Sequence, residues 1–173
     1  ADYRKVLRDT LEFDPDILQR WVNFVNNPDE RTAVDQFGRG EKYFGVCTLL
    51  ATMPGLPMFG HGQVEGFDER YGMEFRRAMQ DEAVDDGMER EHWRRIVPLL
   101  HRRARFAGAR EFLLYDCCDT SGHVNEDVFA FSNRDAGGAG LVLFHNRYAD
   151  ARGTIRTYAA YADKQSDGTR PLR

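Results

Sequence analysis

The chain has 173 residues, 42% of them hydrophobic and 12% aromatic, which is ordinary material for a folded core and excludes a disordered tail. Its 24 basic and 28 acidic residues leave a net charge of -4, a balance that argues against a dedicated nucleic-acid binder. No apolar run reaches the roughly 18–20 residues that a membrane helix needs, so no membrane partner is expected.

Tyr3, Val6, Leu7, Leu11 and Phe13 recur at near-helical spacing and predict a helix over about 3–13. Asp14-Pro15 interrupts it: Asp14 is an N-cap and Pro15 a first helical residue for a short helix over 15–20. The run Trp21 to Val25 predicts a strand that empties into Asn26-Asn27-Pro28-Asp29-Glu30, with a loop over 30–38. A helix is expected over 39–52, stopped by Pro54-Gly55, and a second strand over 57–60. Strand, helix, strand, with polar groups at both strand ends, is a βαβ unit of an α/β barrel or doubly wound sheet. Residues 61–87 read as one long glycine-punctuated excursion, with a helical turn or two between Met73 and Met79. A third helix is expected over 88–106, kinked or split at Pro98 and stopped by Gly108. Beyond it the period changes, and the β-rich segments 111–115, 127–133, 141–145 and 154–159 predict an antiparallel sheet, with 133–140 as a turn. The tail from Lys164 is expected to be loose.

Phe24-Val-Asn-Asn-Pro-Asp29 resembles the Phe-x-x-Asn-His-Asp motif that ends the seventh barrel strand of the α-amylase family, glycoside hydrolase family 13. The run Thr48 to Gln63, with Pro54-Gly-Leu-Pro57, resembles that family's seventh helix and eighth strand. The resemblance covers residues 16–65 and extends more loosely to about 146. It implies a fold that is α/β then β: the C-terminal portion of a (β/α)8 TIM barrel, residues 1–108, followed by the start of an antiparallel β-sheet domain, residues 109–173. A complete barrel takes about 250 residues and the smallest about 200. The chain is therefore expected to be part of a larger enzyme, partnered by a missing N-terminal barrel portion of the same protein.

The resemblance implies a partial glycoside hydrolase of the α-amylase type, acting on an α-glucan or maltooligosaccharide by a retaining mechanism. Such enzymes place two carboxylates about the scissile bond; in this family a third grips sugar hydroxyls, and Asp29 aligns with it as the catalytic residue. Pro28 stands where the family motif has His, as it does in relatives that transfer maltosyl units from maltose 1-phosphate, so a maltosyl or glucan transferase is the other form of this activity. Asn27, His61 and Gln63 are candidate substrate-binding residues. Asn26 and Asn27 read equally well as sugar-binding amides or as turn formers beside Pro28. Glu65 is one residue out of the family's register. Phe67, Arg70 and Tyr71 could supply an aromatic platform or pack against the barrel. The nucleophile and general acid are not found here, so the chain alone is expected to be inactive. The alternative is a non-catalytic glucan-binding or assembly module with a degenerate half-barrel.

No cofactor and no metal site is expected: there is no phosphate loop, Ser-His-Asp signature or zinc spacing. Cys47, Cys117 and Cys118 are odd in number and include an adjacent pair, which is not a disulfide framework; Cys47 reads as a core thiol and the setting as cytoplasmic.

Overall fold

A computed structural model of the chain describes residues 2–70, 75–165 and 167–173. In chain order it contains α1 (Asp2–Phe13), a 3-10 helix (Pro15–Arg20), β1 (Val22–Asn23), α2 (Ala33–Phe37), α3 (Glu41–Thr52) and β2 (Leu56–Pro57). There follow α4 (Asp86–Glu91), a π-turn (His92–Ile96), α5 (Val97–Leu100), α6 (Arg103–Ala107) and strands β3 (Leu113–Cys118), β4 (Val128–Asp135), β5 (Gly138–His145) and β6 (Thr154–Tyr158). Residues form two compact units, Val22–Arg103 and Ala1–Trp21 together with Ala104–Arg173. The first 21 residues thus group with the β-rich part, unlike the division at 108 expected from the sequence.

The unit Val22–Arg103 is the βαβ unit. β1 and β2 pair in parallel, Val22 with Leu56 and Asn23 with Pro57. The ladder is shorter than the apolar runs; on the β2 side Pro54 precedes the strand and Pro57, within it, has no N–H to give. Asn23 Nδ2 compensates by donating to Pro54 O at 2.8 Å. No closed barrel is formed by the described residues. The loop expected at 30–38 instead contains α2: Thr32 Oγ1 accepts the Asp35 N–H at 3.2 Å, an N-cap that starts a short helix. α3 is apolar around most of its circumference and is buried accordingly, with Tyr43, Phe44, Cys47 and Ala51 in one core with Ala33, Val34, Met88 and Ile96. At the C-terminal end of α3, Arg103 donates to the carbonyls of Ala51, Met53 and Gly55 and so caps the helix into β2.

The third predicted helix is split as Pro98 requires. Pro98 has no N–H for the Arg94 carbonyl and its ring would crowd that carbonyl; the π-turn over His92–Ile96 widens the helix just before it. The described residues of 61–85 form turns and bends without helix or strand, as expected for the excursion. The turn predicted from Met73 lies partly outside the described residues, and 75–79 is not helical.

The other unit holds a four-stranded antiparallel sheet in the order β5-β4-β3-β6. The predicted turn at 133–140 is tighter than its bounds: β4 and β5 stay paired to Asp135 and Gly138, leaving a two-residue connection. β4 is central, with Phe129, Ala130 and Phe131 buried. α1 belongs here because Leu7 and Leu11 are buried, the Tyr3 ring lies 6.0 Å from Phe129, and the fully buried Arg4 bonds Glu126, Asp116 and the Tyr115 carbonyl. The tail is less loose than its composition suggests. Tyr161 and Arg173 exchange two backbone hydrogen bonds, and Arg170 and Arg173 pair with Asp14 and Asp163.

Candidate functional site

A parallel pair delivers the C-terminal ends of both strands to the same side, so the polar residues after β1 and those after β2 meet. Together they line a notch of about 30 Å³ formed by Asn26, Asn27, Pro28, Thr32, His61, Glu69 and Arg70. A larger cleft of about 270 Å³ shares His61 and Glu69 as walls and is completed by Phe67, Ala78, Gln80, Asp81 and Glu82.

The first side is built by an amide. Asn27 Oδ1 accepts the N–H groups of Asp29 at 2.9 Å and Glu30 at 2.8 Å, an Asx-turn that breaks the chain sharply after the strand. Arg70 Nη1 donates to the Asp29 carbonyl at 3.1 Å and holds the turn from across the rim. The backbone of Asp29 is therefore fixed while its carboxylate is exposed. Asn27 performs the turn-forming role that the sequence left open beside the sugar-binding one.

The second side is a tight loop. Gly62 has φ +69°, and a Cβ there would stand 2.7 Å from Phe67, so only glycine fits. The Gly62 carbonyl accepts the Phe67 N–H at 2.8 Å. His61 is exposed at the crest, its ring 6.1 Å from Phe67. Phe67 thus packs into the rim, and Tyr71 lies outside the described residues. Gln63 departs from expectation. It is 1% exposed, its Oε1 accepts the Gly60 N–H at 3.1 Å, and its Nε2 points to Cys47 Sγ at 3.7 Å. An amide engaged at both ends beneath the loop supports the rim and has no face toward a ligand.

The excursion is pinned by carboxylates. Glu82 accepts the N–H groups of Asp68 and Glu69, each at 2.7 Å. Glu69 in turn accepts those of Met79 at 2.7 Å and Gln80 at 2.8 Å. These reciprocal clasps bring Glu69 and Arg70 to the rim, a placement no local sequence signal announces.

Beneath the rim lies a buried polar set. Tyr43 donates to the Gln63 carbonyl at 3.1 Å and meets His92 Nε2 at 2.7 Å. The tautomer of the His92 ring sets which partner donates in the second contact. Tyr43, Phe44 and Phe59 surround the His92 ring at 5.5, 5.4 and 6.0 Å. Burial lowers the His92 pKa and keeps the ring neutral; it also raises the Tyr43 hydroxyl far above the phenol range. Burial likewise pushes the Cys47 thiol up to about 11, so it is not a nucleophile at neutral pH.

Among the described residues no group of three or more His, Cys, Asp or Glu could hold a metal ion, and no helix is long and apolar enough to cross a membrane. In the β-rich unit a cleft of about 380 Å³ is lined in part by Asp14, Arg110, Tyr161, Asp163 and Lys164, none of them a sequence candidate. The carboxylates of Asp14 and Asp163 there are already paired with Arg170 and Arg173, both at 2.7 Å. Compared with known proteins, the chain matches no protein-family profile, no curated protein and no solved structure.

Proposed function

We propose that the Val22–Arg103 unit is the sugar-binding rim of an α-glucan-active protein of the α-amylase type, hydrolase or glucan transferase, working by a retaining mechanism. The observation that carries this reading is the parallel β1/β2 pair, which brings Asn27, Pro28 and His61 around a shared notch, with Asp29 next to Pro28 in the chain. Asp29 has the features required of a group that stabilises positive charge on a sugar ring: a carboxylate open to solvent on a backbone fixed by Asn27 and Arg70. Val22, Phe24 and Leu56 are 48%, 46% and 61% exposed around a two-stranded parallel ladder. Parallel sheets bury both faces, so these side chains fit a pair meant for further strands of a parent protein, which would also supply the nucleophile and general acid.

One observation favours the second reading, a glucan-binding module without chemistry. The notch of about 30 Å³ has room for a hydroxyl and not a sugar ring, and among the described residues its one carboxylate, Glu69, is held by the Met79 and Gln80 amides rather than set opposite Asp29 as an acid or nucleophile. Substituting Asp29→Asn in the protein that carries this segment separates the two. The enzyme reading expects kcat/KM on maltooligosaccharides to fall by about 10²-fold or more, the scale of losing one transition-state electrostatic contact. Unchanged turnover overturns it.

A further inference from the structure

We propose that Asn26 reads a single hydroxyl of a bound glucoside, whose ring occupies the neighbouring 270 Å³ cleft while that hydroxyl enters the notch. The inference rests on the α-glucan reading above and deepens it by assigning a specificity-determining residue.

Asn26 is 5% exposed, yet its Oδ1 is enclosed and has no hydrogen-bond partner among the described residues. Buried amide oxygens are rarely left in that state, because they lose water without replacement. Asn26 is one of the residues that line the notch, so a donor seated there would complete the amide. Gly60 keeps the amide where it is. A Cβ at that position would stand 2.6 Å from Asn26 Nδ2 and 2.7 Å from Oδ1, so the glycine lets the backbone after β2 close against the side chain.

Size and charge select the donor. About 30 Å³ accommodates one water-sized group, so a ring cannot follow its hydroxyl in. The adjoining 270 Å³ cleft, walled by the same His61 and Glu69 and bounded by the Phe67 ring, has the size for one sugar unit and an apolar face for it. A carboxylate or phosphate has no hydrogen to give Oδ1. An ammonium would face the Arg70 guanidinium, which also lines the notch. Glu69 lines the notch as well and stays charged while it accepts the Met79 and Gln80 amides, so it balances the guanidinium and leaves a site with no net charge to attract an ion. A neutral hydroxyl remains.

The test is a ligand–variant cycle on the full chain. Maltotriose and methyl α-glucoside, the latter also as its 2-, 3- and 6-deoxy forms, are titrated against the isotope-labelled protein and followed by backbone and side-chain amide NMR. The expected result is that maltotriose shifts the Asn26 side-chain amide, and that one deoxy glucoside binds about tenfold more weakly than its parent, the scale of one lost hydrogen bond. Asn26→Ala should bind the parent and that deoxy form equally. Asn26→Asp, which keeps an acceptor at the same place, should keep the discrimination. Should Asn26→Ala fail to fold, Asn26→Ser, too short to reach the hydroxyl, gives the same reading. Rim binding whose deoxy discrimination survives Asn26→Ala overturns this inference alone. Absence of any glucoside binding by the unsubstituted chain overturns the glucan reading and this inference with it.

Discussion

Replacing Arg4 by Met should uncouple α1 from the sheet. Arg4 is fully buried and donates to Glu126 Oε2 at 2.7 Å, Asp116 Oδ1 at 2.5 Å and the Tyr115 carbonyl at 3.0 Å. Methionine fills the volume but leaves Asp116 and the carbonyl without their donor. Breaking a buried ion pair costs about 3–5 kcal/mol. The lower end applies, about 3 kcal/mol, because Glu126 is 42% exposed and keeps a 2.7 Å bond from Arg8. For a unit of under 100 residues each kcal/mol moves Tm by about 4–8 °C, so a drop of more than about 10 °C is expected by circular dichroism. The acid limb of stability should change as well. Burial pushes the Glu126 carboxyl up, but hydrogen bonds from Arg8 and Arg4 outweigh it and hold the group below its usual value. A depressed folded pKa contributes stability that is present above the unfolded value and lost as pH falls through the folded one. Arg4→Met should therefore flatten the loss of stability below about pH 4.5. A melting point within about 3 °C of the unsubstituted protein, with an unchanged acid limb, would refute the claim that this ion cluster joins α1 to β3.

The other expectations concern the rim unit. His92 has its folded pKa lowered by burial, so stability is complete above about pH 6.5 and declines as pH falls below it, where the unfolded chain binds a proton the folded one resists. Urea midpoints at pH 7.5 and 5.5 should differ, and His92→Gln should reduce the difference; equal midpoints for the unsubstituted chain contradict this. Gly62→Ala should cost about 1–3 kcal/mol through its φ of +69° and the clash with Phe67. Gly38→Ala has φ +71° but open space, so it should cost less in the same thermal melt. Asp29→Asn should leave Tm unchanged, since its carboxylate is exposed; a clear destabilisation would make Asp29 a structural residue.

What could be read from the chain and what could not divides along sequence distance. α1, the 3-10 helix capped by Asp14, α3 and its stop before Pro54, and the end of α6 before Gly108 follow from spacing and capping within a few residues, and the structure has them. The antiparallel sheet follows from short β-rich runs between turn residues. α2 is also legible in principle, since Thr32-Ala-Val-Asp35 is a capping pattern. The rim was half legible. The two polar strand ends stand out in the sequence, but the same amide chemistry serves turns, cores and ligands alike. Asn27 spends its oxygen on the backbone of Asp29 and Glu30, while Gln63 spends both ends of its amide under the loop. Asn26, which the sequence does not distinguish from Asn27, is the one of the three whose buried oxygen has no protein donor among the described residues. That difference arises only when Gly60 closes on it and Arg70, 41 residues beyond Asp29, reaches back to clamp the turn. A rim assembled from side chains that far apart in the chain leaves no periodic or capping signal in the sequence.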